Sequence, residues 1–304
     1  MAFLRATWSI LIFIYMDDML IQARDASTVY LHAQITLLVF MCLGWEINWE
    51  KSSLIPTQRI THLGFILDSQ SMTVSCPMEK IQRIQEKVRT ALGSGHITVH
   101  DLERLLGLME SVRPATPLAA MHYRTVQKLL ITAKSSGRRP KQLLILTRKV
   151  SLELQWWLSP SGFMGSSSSS MRELAPTVEI FTDANLEGGG AHCSRGSYFQ
   201  RLWSKQELST VPSINLLEVR AAREGLEQLA RPGDLVRLHI DNRTACCYVR
   251  RQGGTRSSLL SHRNLLLRRT LEKSIKTGGA RFACDSSGFV ICLLRRVLWR
   301  PVQI

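Results

Sequence analysis

Ile12-Phe13-Ile14-Tyr15-Met16-Asp17-Asp18-Met19-Leu20-Ile21 is the stretch from which the first half of the chain can be read. Apolar, strand-favouring runs lie on both sides of a short centre, so the stretch predicts a β-hairpin with two adjacent carboxylates at its tip. Asp17 and Asp18 on a rigid turn suit Mg²⁺, a hard cation that prefers oxygen ligands. Phosphoryl-transfer enzymes hold two such ions with acids drawn from different strands. A chance match on an ordinary turn is the plain alternative, and the rest of the sequence bears on the choice.

Before the hairpin, Met1 to Met16 carries one Arg and an apolar run. The run ends in Asp17-Asp18 without a small-residue cleavage site and is too short to span a bilayer, so it reads as a strand. After the hairpin, Val29, Leu31, Ile35, Leu38, Val39 and Cys42 recur at near-helical spacing. Asp25 or Ser27 can cap that helix, and Gly44 stops it. Trp45 to Ser53 and His62-Leu63-Gly64-Phe65-Ile66-Leu67-Asp68 complete a first region over 1–68.

Residues 69–158 read as helical. Pro77 suits a first turn, and Ile81, Ile84, Val88 and Leu92 form an apolar stripe. Thr98 and Asp101 resemble a capping box ahead of Leu102, Leu105, Leu106 and Met109. Between Val112 and Val150 there are nine Lys or Arg and no acid, including Arg124, Lys128, Arg138 and Arg139. A run so one-sided favours a surface that tracks phosphates. Residues 159–176, with Pro160, Gly162, Gly165 and Ser166 to Ser170, read as a flexible linker.

A second α/β domain is expected over 177–277. Val178 to Ala184 reads as a strand ending near Asp183, and Leu235 to Asn242 as a strand ending in Asp241. Between them, Asn215 to Ala222 reads as a helix whose Leu217 and Ala221, with Leu226, face the sheet, leaving Glu218 at an adjoining edge. The three acids lie 35 and 23 residues apart. Neighbouring strand ends of an α/β sheet converge, so the three can meet at one edge. Three carboxylates there repel one another unless divalent cations sit among them.

The chain has 304 residues, 45% of them apolar, and a mean hydropathy near zero, as expected of a globular protein rather than a disordered one. Its net charge of +15 and pI near 10.0 point to a polyanionic partner. No basic amphipathic anchor or membrane span is evident, and no signal for secretion. Seven cysteines occur with no Cys-x-x-Cys pair and no zinc-type spacing, which reads as reduced thiols in the cytoplasm or nucleus.

Tyr15-Met16-Asp17-Asp18 resembles the catalytic hairpin of reverse transcriptases, and the order of the three later acids resembles the ribonuclease H fold. Taken with His62-Leu63-Gly64, Leu106-Gly107-Leu108-Met109, Thr182-Asp183-Ala184, Asn215-Leu216-Leu217-Glu218, Ile240-Asp241-Asn242 and Arg251-Gln252-Gly253-Gly254, the series resembles DIRS-type retroelement polyproteins over roughly residues 11–273. In that group a reverse transcriptase is followed by a ribonuclease H. The resemblance implies a partial palm, a helical thumb or connection, and a ribonuclease H-like mixed sheet with helices. It implies that Asp17 and Asp18 bind catalytic metal, that Lys51 lies near the incoming nucleotide, and that Leu63-Gly64 belongs to a primer-grip hairpin. It further implies that Asp183, Glu218 and Asp241 hold two Mg²⁺ (or Mn²⁺) for cleaving the RNA strand of an RNA–DNA hybrid. Arg251 and Arg256, with Arg124, Lys128, Arg138 and Arg139, are then expected to contact the nucleic acid.

The sequence departs from that pattern in three places. Sixteen residues precede Asp17 and none is acidic, so no polymerase activity is expected in cis. The tail over 278–304 diverges, and Asp285, 44 residues after Asp241, is either a substitute fourth acid or incidental. Gly189 stands where an aromatic residue is usual, which removes packing beside Asp183. An alternative function is that of a catalytically dead nucleic-acid-binding remnant. A weaker one is a fragment that docks on an intact polymerase.

Overall fold

The computed structural model describes residues 2–160, 162–171, 175–210, 213–231, 233–253, 290–294 and 298–299. Helix α1 (Ala2–Trp8) precedes the hairpin of β1 (Leu11–Tyr15) and β2 (Asp18–Ala23). The stretch expected to be one strand is therefore a helix and then a strand. Ser9, at φ 54°, turns the chain between them. Leu4 is then buried with Ile10 and Ile12, while an Arg5 Nη2 donates to the Ile12 carbonyl at 2.7 Å.

Helix α2 (Ala26–Cys42) is capped by Asp25, which accepts from the Thr28 amide at 2.8 Å and from its hydroxyl at 2.7 Å. These bonds, the amide's first, hold the Asp25 carboxyl below its ordinary range. The helix buries Val29, Ala33, Thr36, Leu37 and Phe40, whereas Leu31, Leu38 and Cys42, expected inside, are exposed. It is apolar nearly all round, so spacing alone cannot choose the face. Strands β3 (Trp45–Glu46), β4 (Ser53–Thr57), β5 (Arg59–His62), β6 (Phe65–Asp68) and β7 (Thr73–Ser75) follow.

Helix α3 (Met78–Ser94), strand β8 (His96–Thr98), helices α4 (Val99–Glu110) and α5 (Arg124–Ser135), strand β9 (Leu143–Ile145) and helix α6 (Arg148–Gln155) come next. The region expected to be wholly helical thus contains an antiparallel ribbon, β8 with β9. Thr98 caps α4 as expected, accepting from the Asp101 amide at 3.0 Å and donating to its carboxylate at 2.7 Å. Glu153 of α6 is buried and accepts from the Thr125 and Val126 amides at 2.7 and 3.1 Å, which satisfies the start of α5. Trp157 and Phe163 are fully buried, and the indole donates to the His122 carbonyl at 2.8 Å.

The serine run expected as linker instead supplies strand β10 (Ser168–Ser170), antiparallel to β7. An unpaired β7 edge would leave backbone donors and acceptors unused, and small polar residues can cover such an edge. The second sheet region comprises β11 (Val178–Ala184), β12 (Gly188–Cys193), β13 (Tyr198–Leu202), α7 (Lys205–Thr210), α8 (Ile214–Leu229), β14 (Val236–Ile240) and α9 (Arg243–Arg250). The divergent tail contributes β15 (Val290–Leu294) and β16 (Leu298–Trp299).

Two compact units emerge, and neither is a continuous stretch. One draws its described residues from within Met1–Pro77, Ser168–Met171 and Asp285–Ile304. Its main sheet has the order β1-β2-β15-β4, with β15 antiparallel to both neighbours; β10-β7-β6-β5 and β16-β3 are its other sheets. The other draws from Met78–Ser167 and Arg172–Cys284, so the helices α3 to α6 and the second sheet share one unit. That sheet runs β13-β12-β11-β14, with β11 parallel to β14 and the remaining pairs antiparallel. Helix α8 covers one face: Val178, Ile180, Ala191 and Cys193 are buried against Leu226 and Leu229. The mixed α/β class expected from the sequence is the class observed. No helix among the described residues is long and apolar enough to cross a membrane.

Candidate functional site

The parallel pairing of β11 with β14 brings the C-terminal ends of the two strands side by side, Thr182 opposite Ile240. Asp183 is the next residue of β11, and Asp241 is the first residue after β14. Asn242 then starts α9 by accepting from the Ala245 amide at 2.9 Å, which fixes the turn that carries Asp241. Leu217 and Ala221, both fully buried, anchor the first half of α8 and leave Glu218 at the strand ends.

Asp183, Glu218 and Asp241 each offer a carboxylate oxygen, and these lie within 4.8 Å of one another. Asp183 and Asp241 are exposed, but Glu218 is only 3% exposed, and its Oε2 has no hydrogen-bond partner. Burial first, and then the charges of Asp241 and Asp183, push the Glu218 carboxyl up to about 7. A buried carboxylate oxygen without a donor, facing two more carboxylates, is costly unless a proton or a cation shares the site. The all-oxygen donor set fits Mg²⁺ or Mn²⁺.

Gly189 does not leave a packing gap near Asp183. A Cβ there would lie 2.5 Å from Cζ2 of Trp203 and 3.3 Å from the Ala221 Cβ, so the indole already fills the space. Trp203 is held by its Nε1 bond to the Asn185 carbonyl at 2.9 Å. Arg201 and Arg220 lie over its ring at 4.9 and 5.3 Å, and both pair with Glu207. The Ser204 amide, and then the arginines, lower the Glu207 carboxyl to about 2.

The first unit places Asp17 and Asp18 at the hairpin tip, with Tyr15 opposite Asp18 and Met16 at φ 53°. Side chains rarely adopt that conformation, and such outliers gather at functional turns. Among the described residues, no further His, Cys, Asp or Glu joins the pair into a group able to hold a metal. Lys51 is exposed at the end of a single 3₁₀ turn, its amide donating to Asn48 Oδ1 at 3.1 Å. Leu63-Gly64 makes the two-residue turn between β5 and β6, at φ 48° and 75°. A turn with both residues left-handed matches the twist of a hairpin, and Gly64 adopts it without a Cβ clash.

The expected nucleic-acid contacts divide into two sets. Lys128, Arg138, Arg139 and Arg251 are exposed. Arg124 is half-buried and turned inward, donating to Gln127 Oε1 at 2.9 Å and to the Arg251 carbonyl. It couples α5 to the end of α9 rather than standing free. Arg256 and Asp285 lie outside the described residues. Cys42, Cys76, Cys193, Cys246 and Cys247 are free thiols.

A second group was not anticipated from the sequence. His239, Phe181 and His192 sit side by side on β14, β11 and β12, with ring centroids 4.2 and 4.8 Å apart and planes within 9° and 7° of parallel. Each residue is unremarkable in its own strand. Only the pairing of three strands reveals the row.

No family model matches the sequence, and neither does any curated protein. Solved structures with a similar arrangement include the foamy viral protease-reverse transcriptase dRH in complex with double-stranded DNA, at 16% identity and a TM-score of 0.43. That match covers 86% of this chain and 44% of the other. The foamy viral protease-reverse transcriptase in complex with an RNA/DNA hybrid gives 18% identity and a TM-score of 0.42, covering 86% and 34% respectively. The chain thus spans less than half the length of either.

Proposed function

We propose that the second unit cuts the RNA strand of RNA–DNA hybrids at Asp183, Glu218 and Asp241. The observation that carries this reading is the meeting of the three carboxylates within 4.8 Å, with Glu218 buried and its Oε2 unpartnered. When bound by these residues, Mg²⁺ or Mn²⁺ would supply an activated water and charge stabilisation for the leaving oxygen. Glu218, fixed by the packing of α8, holds the inner position. Asp183 and Asp241, exposed at the strand ends, form the rim that a phosphate can reach. Preference for RNA in the cut strand would come from contacts to its 2′-hydroxyl groups. Lys128, Arg138, Arg139 and Arg251 supply exposed positive charge for the backbone.

In this reading the chain is a DIRS-type reverse transcriptase and ribonuclease H segment, on the motif series given above, without polymerase activity in cis. Besides β1, the described strand next to β2 is β15, whose sequence Val290-Ile291-Cys292-Leu293-Leu294 contains no acid.

End-labelled RNA–DNA hybrid incubated with the protein in Mg²⁺ or Mn²⁺ tests the reading, with Asp183→Asn alongside. Cleavage by the parent and none by the variant is the expected result. Hybrid binding without cleavage in either metal would overturn it in favour of a catalytically dead binding remnant.

A further inference from the structure

Residues alternate across a strand, so Phe181 and Asp183 project from the face of the second sheet away from α8. His239, Phe181 and His192 stand on that face as parallel rings, and Tyr198, paired with His192, continues the row onto β13. Tyr198 is 73% exposed, and β13 is the edge of its sheet. A furrow of about 960 Å³ runs along this face, lined by Phe181, Asp183, Gly190, His192, Tyr198 and Gln200 among others.

We propose that this furrow binds an unpaired base of a single nucleic-acid strand, with the outer face of the ring row, at His192, as its stacking platform. The three inner rings lie too close to admit a base between them. The outer face of His192 looks toward β13, the outermost strand of the sheet among the described residues, where the exposed Tyr198 ring can close on a base. One register step further along, Asp183 lies opposite Gly190, which places no side chain between the platform and the acids. A strand on the platform therefore reaches the carboxylate site within about 7 Å. Glu179, which would repel phosphates, is paired with Arg237 Nη1 at 3.0 Å. Planar rings with polar edges suit bases better than aliphatic side chains, and the net charge of +15 favours a polyanion. The inference rests on the hybrid-cleavage reading only for the class of ligand.

The test is equilibrium binding of the full chain by fluorescence anisotropy, in EDTA so that cleavage does not enter. The probes are a short oligothymidylate and an abasic oligomer of the same length and charge. The oligothymidylate should bind more tightly by roughly 5- to 150-fold for each base stacked. His192→Ala and Tyr198→Ala, both at exposed positions, should reduce that preference toward one while leaving abasic affinity unchanged. Tyr198→Phe should retain it, and an unchanged melting temperature shows that each variant folds. Equal affinity of the parent for the two probes, or a base preference that survives in the double alanine variant, would overturn the proposal. Neither outcome depends on whether the acids hydrolyse a hybrid.

Discussion

Glu218→Gln should stabilise the metal-free protein at pH 8 and do so far less at pH 5. The folded carboxyl is pushed up to about 7 from an ordinary 4.5, chiefly by burial and then by Asp241 and Asp183. Between those values the folded state holds a proton that the unfolded state has lost. The group's stabilising contribution is therefore complete below about pH 4.5 and is lost as pH rises through about 7. The full shift corresponds to at most about 3 kcal/mol. Water at the rim, where Asp183 and Asp241 are exposed, screens part of the repulsion and leaves about 1–2 kcal/mol. For a unit of this size that is roughly 2–8 °C in melting temperature. The assay is thermal unfolding in EDTA at pH 5 and pH 8, taking the difference between variant and parent so that other titrating groups cancel. A variant that melts at or below the parent at pH 8 would refute the argument that burial of the Glu218 charge costs stability.

Gly189→Ala should cost about 1–3 kcal/mol, because its Cβ would press on the Trp203 ring at 2.5 Å; a lowered urea midpoint checks this, and an unchanged midpoint would mean the indole moves freely. Purified protein given a primed template, nucleotides and Mg²⁺ should extend no primer, since Asp17 and Asp18 have no third acid among the described residues. Extension that disappears in Asp18→Asn would show that another carboxylate completes that site.

Features that depend on near neighbours in sequence were readable. Asp25 and Thr98 act as helix caps because each cap needs only the residue three positions on. The hairpin at Tyr15 to Asp18 follows from the apolar runs around it, and Asp183, Glu218 and Asp241 from strand, helix and strand ends. The buried face of α2 was not readable, since Leu31 and Leu38 are as apolar as Val29 and Leu37. Nor was the space beside Gly189, because Trp203 comes from beyond the next strand. The ring row of His239, Phe181 and His192 needs the register of three strands, which no local pattern encodes. Strands β10 and β15 were missed for a related reason: Ser168 to Ser170 has no strand signature without β7 to pair with.

The position of β15 between β2 and β4 has a consequence for how the molecule is made. Residues at nearly opposite ends of the sequence are immediate neighbours in that sheet. While the ribosome is still producing the intervening chain, β2 and β4 have emerged with unpaired edges and no strand to join them. Sheets closed by such distant pairings form slowly, and open edges invite pairing with other chains. The first unit, although translated first, can complete its sheet only after the second has been synthesised.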